Sequence, residues 1–370
     1  MKIMNVTGAR PNMMKVSPLI DEMRRHKGLN PILLHTGQHY DEKMSKVFFD
    51  DLSLPEPDIY LGVGSGSHAE QAARVMVKFE KVLLSERPDM VLVVGDVNST
   101  MACAITAAKL HIPLAHVEAG LRSFDRRMPE EVNRIITDSV SDYLFTTSED
   151  ANVNLRREGI PDDKIFFVGN VMIDTLLRHL RGAEMSDIIH RLNVKEREYA
   201  LLTLHRPSNV DGKDSLGEIL DALLYIQNKI KVIFPLHPRT LKMIKEHGFL
   251  SFTREMKNLI TVDPLGYLEF LQLMNYARFV LTDSGGIQEE TTILKIPCLT
   301  LRENTERPVT VTEGTNVIVG NCKDKIIKEV ENILNNGGKT GRIPQLWDGK
   351  AAERIVDIIR TKNIMSHRGH

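Results

Sequence analysis

A strand-like apolar run ends in Asp283-Ser284-Gly285-Gly286, and a helical pattern follows it directly. Glycines let the backbone approach a ligand closely, and a helix N-terminus offers unpaired N–H groups with a partial positive charge. A phosphate or diphosphate fits that chemistry, and Glu290, one turn further on, could accept hydrogen bonds from ribose hydroxyls. An ordinary helix N-cap, with acids favoured by the helix dipole, accounts for the same residues equally well.

Several cationic residues could bind the same anion. Arg302 and Arg307 lie in the segment RENTERP, and Arg10 and Lys15 follow the first apolar strand. A guanidinium presents a fork of donors that matches two phosphate oxygens. Taken singly, each of these residues is more often a solvated surface charge, but their positions at strand ends favour a binding role.

Carboxylates at other strand ends could transfer protons. Asp96 ends one strand, Glu118 ends the next, and Glu130 and Glu131 lie in RMPEEVNR, where a helix begins after Pro129. A general acid and a general base need two carboxyls near one reacting carbon, in environments that separate their pKa values. The alternative for the PEE stretch is the usual preference for acids in a first helical turn.

Histidines also stand at strand ends, namely His39, His116, His205 and His237. Each could donate to a phosphate, carry a proton, or be a buried histidine with satisfied hydrogen bonds. No two of them have the i, i+4 spacing of a zinc site, so the sequence predicts no metal. Walker and GxGxxG dinucleotide fingerprints do not occur either, and no cofactor is predicted.

The segments that must position these residues are alternating strands and helices. Val-, Ile- and Leu-rich runs recur about every 30 residues, with amphipathic helical patterns between them. Such alternation predicts parallel sheets covered on both faces, whose ligands bind at the carboxyl ends of the strands. The sequence therefore predicts two doubly wound α/β domains, residues 1–170 and 171–350, with a ligand cleft between them and a final helix that could pack on either.

Bulk composition bounds the classes of function. The 370 residues include 48 basic and 49 acidic ones, which argues against a nucleic-acid groove or a membrane-surface role. The sequence shows no apolar run as long as a membrane-spanning helix and no signal-peptide pattern at its start. Cys103, Cys298 and Cys322 are predicted to be buried free thiols, which indicates a cytoplasmic protein.

The motifs resemble, in chain order, the signature stretches of one enzyme family. These stretches are GARPNMMKVSPL, TGQHYDEKM, VVGDVNST, HVEAGLRS, PEEVNR, TLHRPSN, DSGGIQEE and ENTERP…EGTNVIVG. They are similar to those of the non-hydrolysing UDP-N-acetylglucosamine 2-epimerases. The resemblance implies two Rossmann-like domains in a glycosyltransferase-B arrangement with an interdomain cleft, a final helix (residues 351–370) that crosses back to the first domain, and a homodimer.

The resemblance also implies roles for individual residues. Ser284, Gly285 and Gly286 would receive the diphosphate, and Glu290 the ribose. The phosphates or the sugar would be faced by Arg10, Lys15, His205, His237 and Arg307. The acid–base candidates would be Asp96, Glu118 and Glu130, with His205 assisting catalysis.

The implied reaction is the reversible epimerisation of UDP-N-acetylglucosamine to UDP-N-acetylmannosamine through elimination and re-addition of UDP. A related sugar nucleotide such as UDP-2,3-diacetamido-2,3-dideoxyglucuronate is a second possible substrate. The same motifs would also suit a glycosyltransferase with this nucleotide cradle, a hydrolysing relative that releases UDP, or a non-catalytic nucleotide-sugar sensor. Some relatives bind a second, activating substrate with a Gln/Arg-rich patch after QH; here Tyr40-Asp41-Glu42-Lys43 stands there, so such activation is not predicted.

Overall fold

A computed structural model of the chain describes residues 1–37 and 56–366. The described residues fall into two compact units, Met1–Arg178 with Gln345–His370, and His179–Pro344. Gln38, His39 and the stretch Tyr40–Lys43 lie outside the described residues. Among those that are described, no helix combines the length and apolar character needed to cross a membrane.

The first unit is built on a parallel sheet that has seven strands within the described residues, in the order β3-β2-β1-β4-β5-β6-β7. The strands are β1 Lys2–Thr7, β2 Asn30–His35, β3 Ile59–Tyr60, β4 Met90–Val94, β5 Leu114–Ala119, β6 Tyr143–Thr146 and β7 Ile165–Phe167. The helices are Arg10–Arg24, His68–Glu86, Asn98–Lys109, Pro129–Val140, Glu149–Arg157, Val171–Glu184 and Ala351–Ser366, with a short 3₁₀ turn at Asp162–Lys164.

Alternate residues of the central strands enter two separate hydrophobic cores. Ile3 and Leu92 pack in the core that contains the helices Arg10–Arg24 and Ala351–Ser366. Met4 and Val93 pack in the opposite core, with the helices on that face. Because side chains of a strand alternate between faces, a strand buried on both sides reads as a continuous apolar run, and this is why β4 has the sequence MVLVV.

The last helix of the chain is attached to the first unit by a buried carboxylate. Asp174 Oδ1 accepts a hydrogen bond from Ala351 N at 3.1 Å, and Oδ2 accepts one from Ala352 N at 2.8 Å. Nearby, Trp347 Nε1 donates to Thr147 O at 2.8 Å. Asp174 therefore satisfies two N–H groups at the start of this helix that have no partner within it.

Asp174→Ala is expected to lower the free energy of unfolding by about 1–2 kcal/mol, since the two N–H groups lose their acceptor in a buried site. Urea denaturation followed by circular dichroism measures the loss. Glu80→Ala, at an exposed position within the helix His68–Glu86, should change the free energy of unfolding by less than about 0.5 kcal/mol. Equal stability of Asp174→Ala and the wild type would contradict the assigned capping role.

The second unit repeats the plan with a parallel sheet of six described strands in the order β10-β9-β8-β11-β12-β13. The strands are β8 Tyr199–Thr203, β9 Lys231–Pro235, β10 Leu259–Val262, β11 Phe279–Thr282, β12 Cys298–Thr300 and β13 Asn316–Ile318. The helices are Ile188–Arg191, Pro207–Val210, Lys213–Ile226, Pro238–Glu246, Leu250–Glu255, Tyr267–Tyr276, Gly285–Leu294, Pro308–Thr312 and Lys323–Asn336. Leu202, Phe234 and Phe279 pack in one core with the helices Lys213–Ile226 and Lys323–Asn336.

The polar stretch from Met172 to about Glu196 has a helical pattern in the sequence, and the structure has two helices there, Val171–Glu184 and Ile188–Arg191. At the break, Ser186 Oγ accepts from Ile188 N at 3.3 Å, and Gln272 Nε2 donates to Ser186 O at 2.7 Å. These contacts supply the hydrogen bonds that the helix backbone gives up.

Both sheets have the 3-2-1-4-5-6 strand order of doubly wound α/β folds. The order reverses between β1 and β4 in the first unit and between β8 and β11 in the second. Ligands of such sheets bind outside the carboxyl ends of the strands at that reversal. The predicted fold class, two doubly wound parallel-sheet domains, is confirmed, and the candidate residues follow β1, β4, β8 and β11 or their neighbours.

Candidate active site

In the first unit, Lys15 and Glu118 form a buried ion pair. Lys15 lies in the helix that begins at Arg10, directly after β1, and Glu118 lies in β5. Gly95, after β4, leaves room for the pair: a Cβ at this glycine would lie 3.2 Å from Lys15 Nζ and 3.4 Å from Glu118 Oε2. Three strand ends thus converge on one lysine and one carboxylate. The side chain of Arg10 lies outside the described part of the structure, so its contact with the phosphates or the sugar stays a prediction.

Glu118 adopts a backbone conformation that few residues other than glycine adopt. Its φ is +70°, and the pairing of β5 with β6 shifts register between Val117 and Ala119. A left-handed non-glycine residue costs on the order of 1–3 kcal/mol, so the surrounding contacts must hold it. The register shift re-aims the Glu118 side chain, and such irregularities are frequent beside active sites.

Asp96 is more accessible than Glu118, with 27% of its side chain exposed against 2%. It pairs with Arg134, which is almost fully buried and also donates to Glu131 Oε2 at 2.7 Å. Glu131 in turn accepts from the backbone of Ser123 at 2.9 Å. Glu131 therefore fixes the loop after β5, while Glu130, the predicted acid, is half-buried in the first turn of the same helix.

Sequence reasoning named Glu131 beside Glu130 but selected only Glu130 as an acid–base candidate, and it missed Arg134. The i, i+3 spacing of Glu131 and Arg134 within one helix is a readable signal for an ion pair. The link from Arg134 to Asp96 spans 38 residues and depends on the strand order.

In the second unit, His205 is oriented by a fully buried aspartate. His205 Nδ1 lies 2.8 Å from Asp283 Oδ1, and Asp283 Oδ2 accepts from the backbone N–H of His205 at 2.9 Å and of Arg206 at 2.8 Å. Burial alone would raise the pKa of Asp283, but the hydrogen bond and charge of His205, with the two N–H donors, hold that pKa below its usual range. An ionised Asp283 fixes the His205 ring with Nε2 left for a ligand.

His237 lies beside His205, with their ring centroids 5.7 Å apart. It is the N-cap of the helix Pro238–Glu246, and its Nδ1 accepts from Arg239 N at 3.2 Å. A neutral ring that accepts at Nδ1 carries its proton on Nε2 and can donate to an anion. The structure thus brings together two of the histidines that the sequence singled out.

Ser284 precedes the helix Gly285–Leu294, and Arg307 lies over the first residue of that helix. Arg307 Nε is 2.7 Å from Glu289 Oε1, and its Nη1 donates to Glu306 Oε1 at 2.5 Å. A Cβ at Gly285 would lie 2.4 Å from Arg307 Nη1, so any other residue would push the guanidinium away from its present position. The N-terminus of the helix and the Arg307 guanidinium therefore lie next to each other, an arrangement that favours binding of an anion.

Glu306 bridges two arginines beneath this helix, because Arg302 Nη2 also donates to it at 2.7 Å. All three side chains are at least nine-tenths buried. Paired acids keep buried guanidinium groups neutralised before a ligand binds. Sequence reasoning identified both arginines but not the role of Glu306.

Glu290 is buried in the second turn of the helix, and Tyr267 Oη donates to its Oε1 at 2.8 Å. Burial raises the pKa of Glu290 to about 7, and the neighbouring charge of Glu289 adds to the rise, while the Tyr267 hydrogen bond opposes it. The carboxyl group is therefore close to half-protonated at neutral pH.

The two groups of residues have different chemistry. The second unit gathers a helix N-terminus, two histidines and an arginine, which suits a phosphate or diphosphate. The first unit gathers carboxylates and a lysine near one strained turn, which suits acid–base chemistry. Within residues 1–37 and 56–366, no cluster of three His, Cys, Asp or Glu side chains could hold a metal ion.

Comparisons with known proteins agree with this chemistry. Residues 21–360 match the family model of UDP-N-acetylglucosamine 2-epimerase. A Methanocaldococcus jannaschii protein named UDP-N-acetylglucosamine 2-epimerase is 47% identical, covering 97% of this chain and 99% of that protein. A Pseudomonas aeruginosa protein named UDP-2,3-diacetamido-2,3-dideoxy-D-glucuronate 2-epimerase is 42% identical, with the same coverage of 97% and 99%.

Solved structures agree as well. The crystal structure of the M. jannaschii UDP-GlcNAc 2-epimerase in complex with UDP-GlcNAc and UDP has a TM-score of 0.91 and 46% identity, covering 98% of this chain and 100% of that one. These matches span nearly the whole length of both proteins, and they confirm the resemblance seen in the motifs. The chain belongs to the UDP-N-acetylglucosamine 2-epimerase family.

Proposed function

We propose that this protein is an isomerase that interconverts UDP-N-acetylglucosamine and UDP-N-acetylmannosamine by inverting C2 of the sugar. The observation that carries the proposal is the turn at Glu118: a strained, buried carboxylate lies against Lys15 and against Gly95, the residue before Asp96. Binding a sugar nucleotide needs no such strain. A site that moves protons needs its carboxylates held in place.

The second unit holds the UDP moiety in this proposal. The diphosphate binds at Ser284, Gly285 and Gly286, where the helix N-terminus and Arg307 supply positive charge. His205, His237, Arg10 and Lys15 face the phosphates or the sugar, and Glu290 accepts from the ribose hydroxyls. The strongest support is the steric match of Gly285 to the Arg307 guanidinium.

The proposed reaction is an elimination followed by re-addition. A carboxylate takes the proton from C2, the C–H electron pair forms a C1=C2 double bond, and the C1–O bond breaks with its electrons leaving on the diphosphate. UDP then attacks C1 of the 2-acetamidoglucal, and an acid gives C2 a proton on the opposite face. Because the C2 proton has no adjacent carbonyl, stabilisation of the departing diphosphate must lower much of the barrier.

Asp96, Glu118 and Glu130 are the proposed proton-transfer groups, with His205 assisting at the diphosphate. A proton must be removed from one face of C2 and delivered to the opposite face, so at least two acid–base groups are required. Asp96 follows β4, and Glu118 lies in the adjacent strand β5, which favours them as the pair that acts on one carbon.

The exact sugar has a specific alternative. The Pseudomonas relative is named for a 2,3-diacetamido uronate nucleotide, so that substrate is the second candidate for this chain. Initial rates on the two sugar nucleotides, measured in parallel, distinguish them. The proposal expects the larger kcat/KM on UDP-N-acetylglucosamine.

Proton and phosphorus NMR of the purified protein with UDP-N-acetylglucosamine tests the function directly. We expect signals of UDP-N-acetylmannosamine to grow to a constant ratio without added metal or nucleotide cofactor. Free UDP accumulating together with N-acetylmannosamine would indicate a hydrolysing enzyme instead. If the substrate stays unchanged while the protein still binds UDP in a separate titration, a glycosyltransferase would be favoured.

The affinity for UDP is expected to increase with pH through about 7, the raised pKa of Glu290. The ionised carboxylate is an acceptor at both oxygens and accepts from the ribose hydroxyls more strongly than the neutral acid. If only that form binds, the dissociation constant falls about tenfold between pH 6 and pH 8, as the ionised fraction rises. Isothermal titration calorimetry across this range measures the change.

Glu290→Gln is the matched control for this pH dependence. The phosphate of UDP also titrates near pH 6, and that contribution remains in the variant. Subtracting the variant's profile isolates the Glu290 contribution. Identical profiles for the two proteins would exclude an ionised Glu290 from UDP binding.

A further inference from the structure

Asp138 is a buried carboxylate that contacts three parts of the chain around Glu118. It lies in the helix Pro129–Val140 and is 1% exposed. Its Oδ1 is 2.6 Å from His116 Nδ1, and its Oδ2 accepts from Gly120 N at 3.1 Å and lies 2.7 Å from Arg122 Nη2. The three contacts bracket Glu118 on both sides along the chain.

The bracketed segment has two residues in the left-handed region, and Glu118 is strained there because it is not a glycine. Glu118 has a φ of +70° and Gly120 a φ of +78°. A Cβ at Gly120 would lie 2.5 Å from Ala151 O, so the backbone is also pressed against the neighbouring helix. Strained backbone persists only where its surroundings determine it, and Asp138 supplies an acceptor on each side of Glu118.

His116 connects Asp138 to the backbone after the adjacent strand, β4. Its Nε2 lies 2.9 Å from the carbonyl oxygen of Gly95, and the ring is fully buried. Gly95 leads directly into Asp96. One carboxylate is therefore connected to the backbone beside both proposed proton-transfer groups, through Gly120 on one side and His116 on the other.

The charge of Asp138 is balanced within this cluster. Burial alone would raise its pKa, but the charges and hydrogen bonds of His116 and Arg122 hold the pKa below its usual range. Arg122 also donates to Glu158 from Nε at 2.7 Å. Removing the Asp138 charge therefore leaves Arg122 with a partner, and the first unit is expected to remain folded.

We propose that Asp138 is a positioning residue, which sets Asp96 and Glu118 against the reacting carbon without touching substrate itself. The proposal rests on the proposed epimerase function and adds to it. Asp138→Asn keeps the shape of the side chain but replaces one acceptor with a donor. The amide nitrogen is a donor only, so the contact on its side loses its acceptor or must reverse its direction, and the negative charge between His116 and Arg122 is lost.

Asp138→Asn is expected to lower kcat about 100-fold, the loss typical of a displacement of about 1 Å at reacting groups. KM and the dissociation constant of UDP should stay within about twofold of the wild type, because ground-state binding is not changed. Steady-state epimerisation kinetics and calorimetric titration with UDP measure both. A purely structural role would lower the amount of folded protein but not the kcat of the folded fraction.

Asp174→Asn is the matched control, because Asp174 is another buried carboxylate of the same unit that accepts two backbone N–H groups. It should lower stability and leave kcat unchanged. His116→Gln is the second variant, in case Asp138→Asn does not fold; it should also lower kcat with KM retained.

A wild-type kcat in folded Asp138→Asn, or in folded His116→Gln where Asp138→Asn does not fold, would overturn this inference alone. A variant with a raised KM and a wild-type kcat would overturn the inference as well. If the wild type interconverts no UDP-N-acetylhexosamine, the proposed function falls, and this inference falls with it.

Discussion

Asp96→Asn is expected to lower epimerase turnover by about 10³-fold or more while leaving the affinity for UDP within about twofold of the wild type. The amide has the size of the carboxylate but cannot take up a proton at C2. Folding should be retained, because Arg134 keeps its 2.7 Å contact with Glu131. Epimerisation rates and UDP titrations on the same preparation measure the two effects.

Asp162→Asn is the control for this substitution, since its carboxylate is 77% exposed and pairs only at the surface with Arg156. It should be indistinguishable from the wild type in both measurements. A fully active Asp96→Asn would remove Asp96 from the mechanism. Loss of UDP affinity together with turnover would assign Asp96 to binding instead.

Gly285→Ala is expected to weaken UDP binding about 100-fold, since a methyl group there displaces the Arg307 guanidinium from the helix N-terminus. The new Cβ would lie 2.4 Å from Arg307 Nη1 and 2.6 Å from Glu306 Oε1, so the ends of both side chains must shift away from the helix. Two charge-assisted hydrogen bonds to a phosphate, each worth roughly 1.5 kcal/mol or more, account for this magnitude. Calorimetric titration with UDP measures the loss.

Gly182→Ala is the matched control, because a Cβ at this helical glycine would meet only Leu268, at an ordinary 3.6 Å. That variant should bind UDP normally and gain about 0.5–1 kcal/mol of stability. An unchanged dissociation constant for UDP in Gly285→Ala would contradict the assignment of the diphosphate to this helix.

The sheets could be predicted from the sequence because buried parallel strands leave a strong local signal. Runs such as MVLVV in β4 are apolar at every position, and each is followed by a polar residue such as Asp96 or His205. The rule that ligands bind at the carboxyl ends then selects candidate residues without knowledge of their contacts. Cys103 and Cys298 are buried as predicted, whereas Cys322 is partly exposed.

The ion pairs that hold the site could not be predicted in the same way. Arg134 reaches Asp96 across 38 residues, and Asp138 reaches His116 across 22. These contacts exist only because the helix Pro129–Val140 packs beside β4 and β5. No local sequence pattern predicts that tertiary packing. In the same helix, PEEVNR drew attention to Glu130, while the adjacent Glu131 is the acid that pairs with Arg134.

Deuterium incorporation at C2 tests the central claim most directly. The purified protein would be incubated with UDP-N-acetylglucosamine in D₂O, and the sugar followed by proton NMR. Proton transfer at C2 predicts UDP-N-acetylmannosamine carrying deuterium at C2, with the exchange abolished in Asp96→Asn. Product that retains its C2 proton, or a substrate that never exchanges, would contradict proton abstraction by these carboxylates.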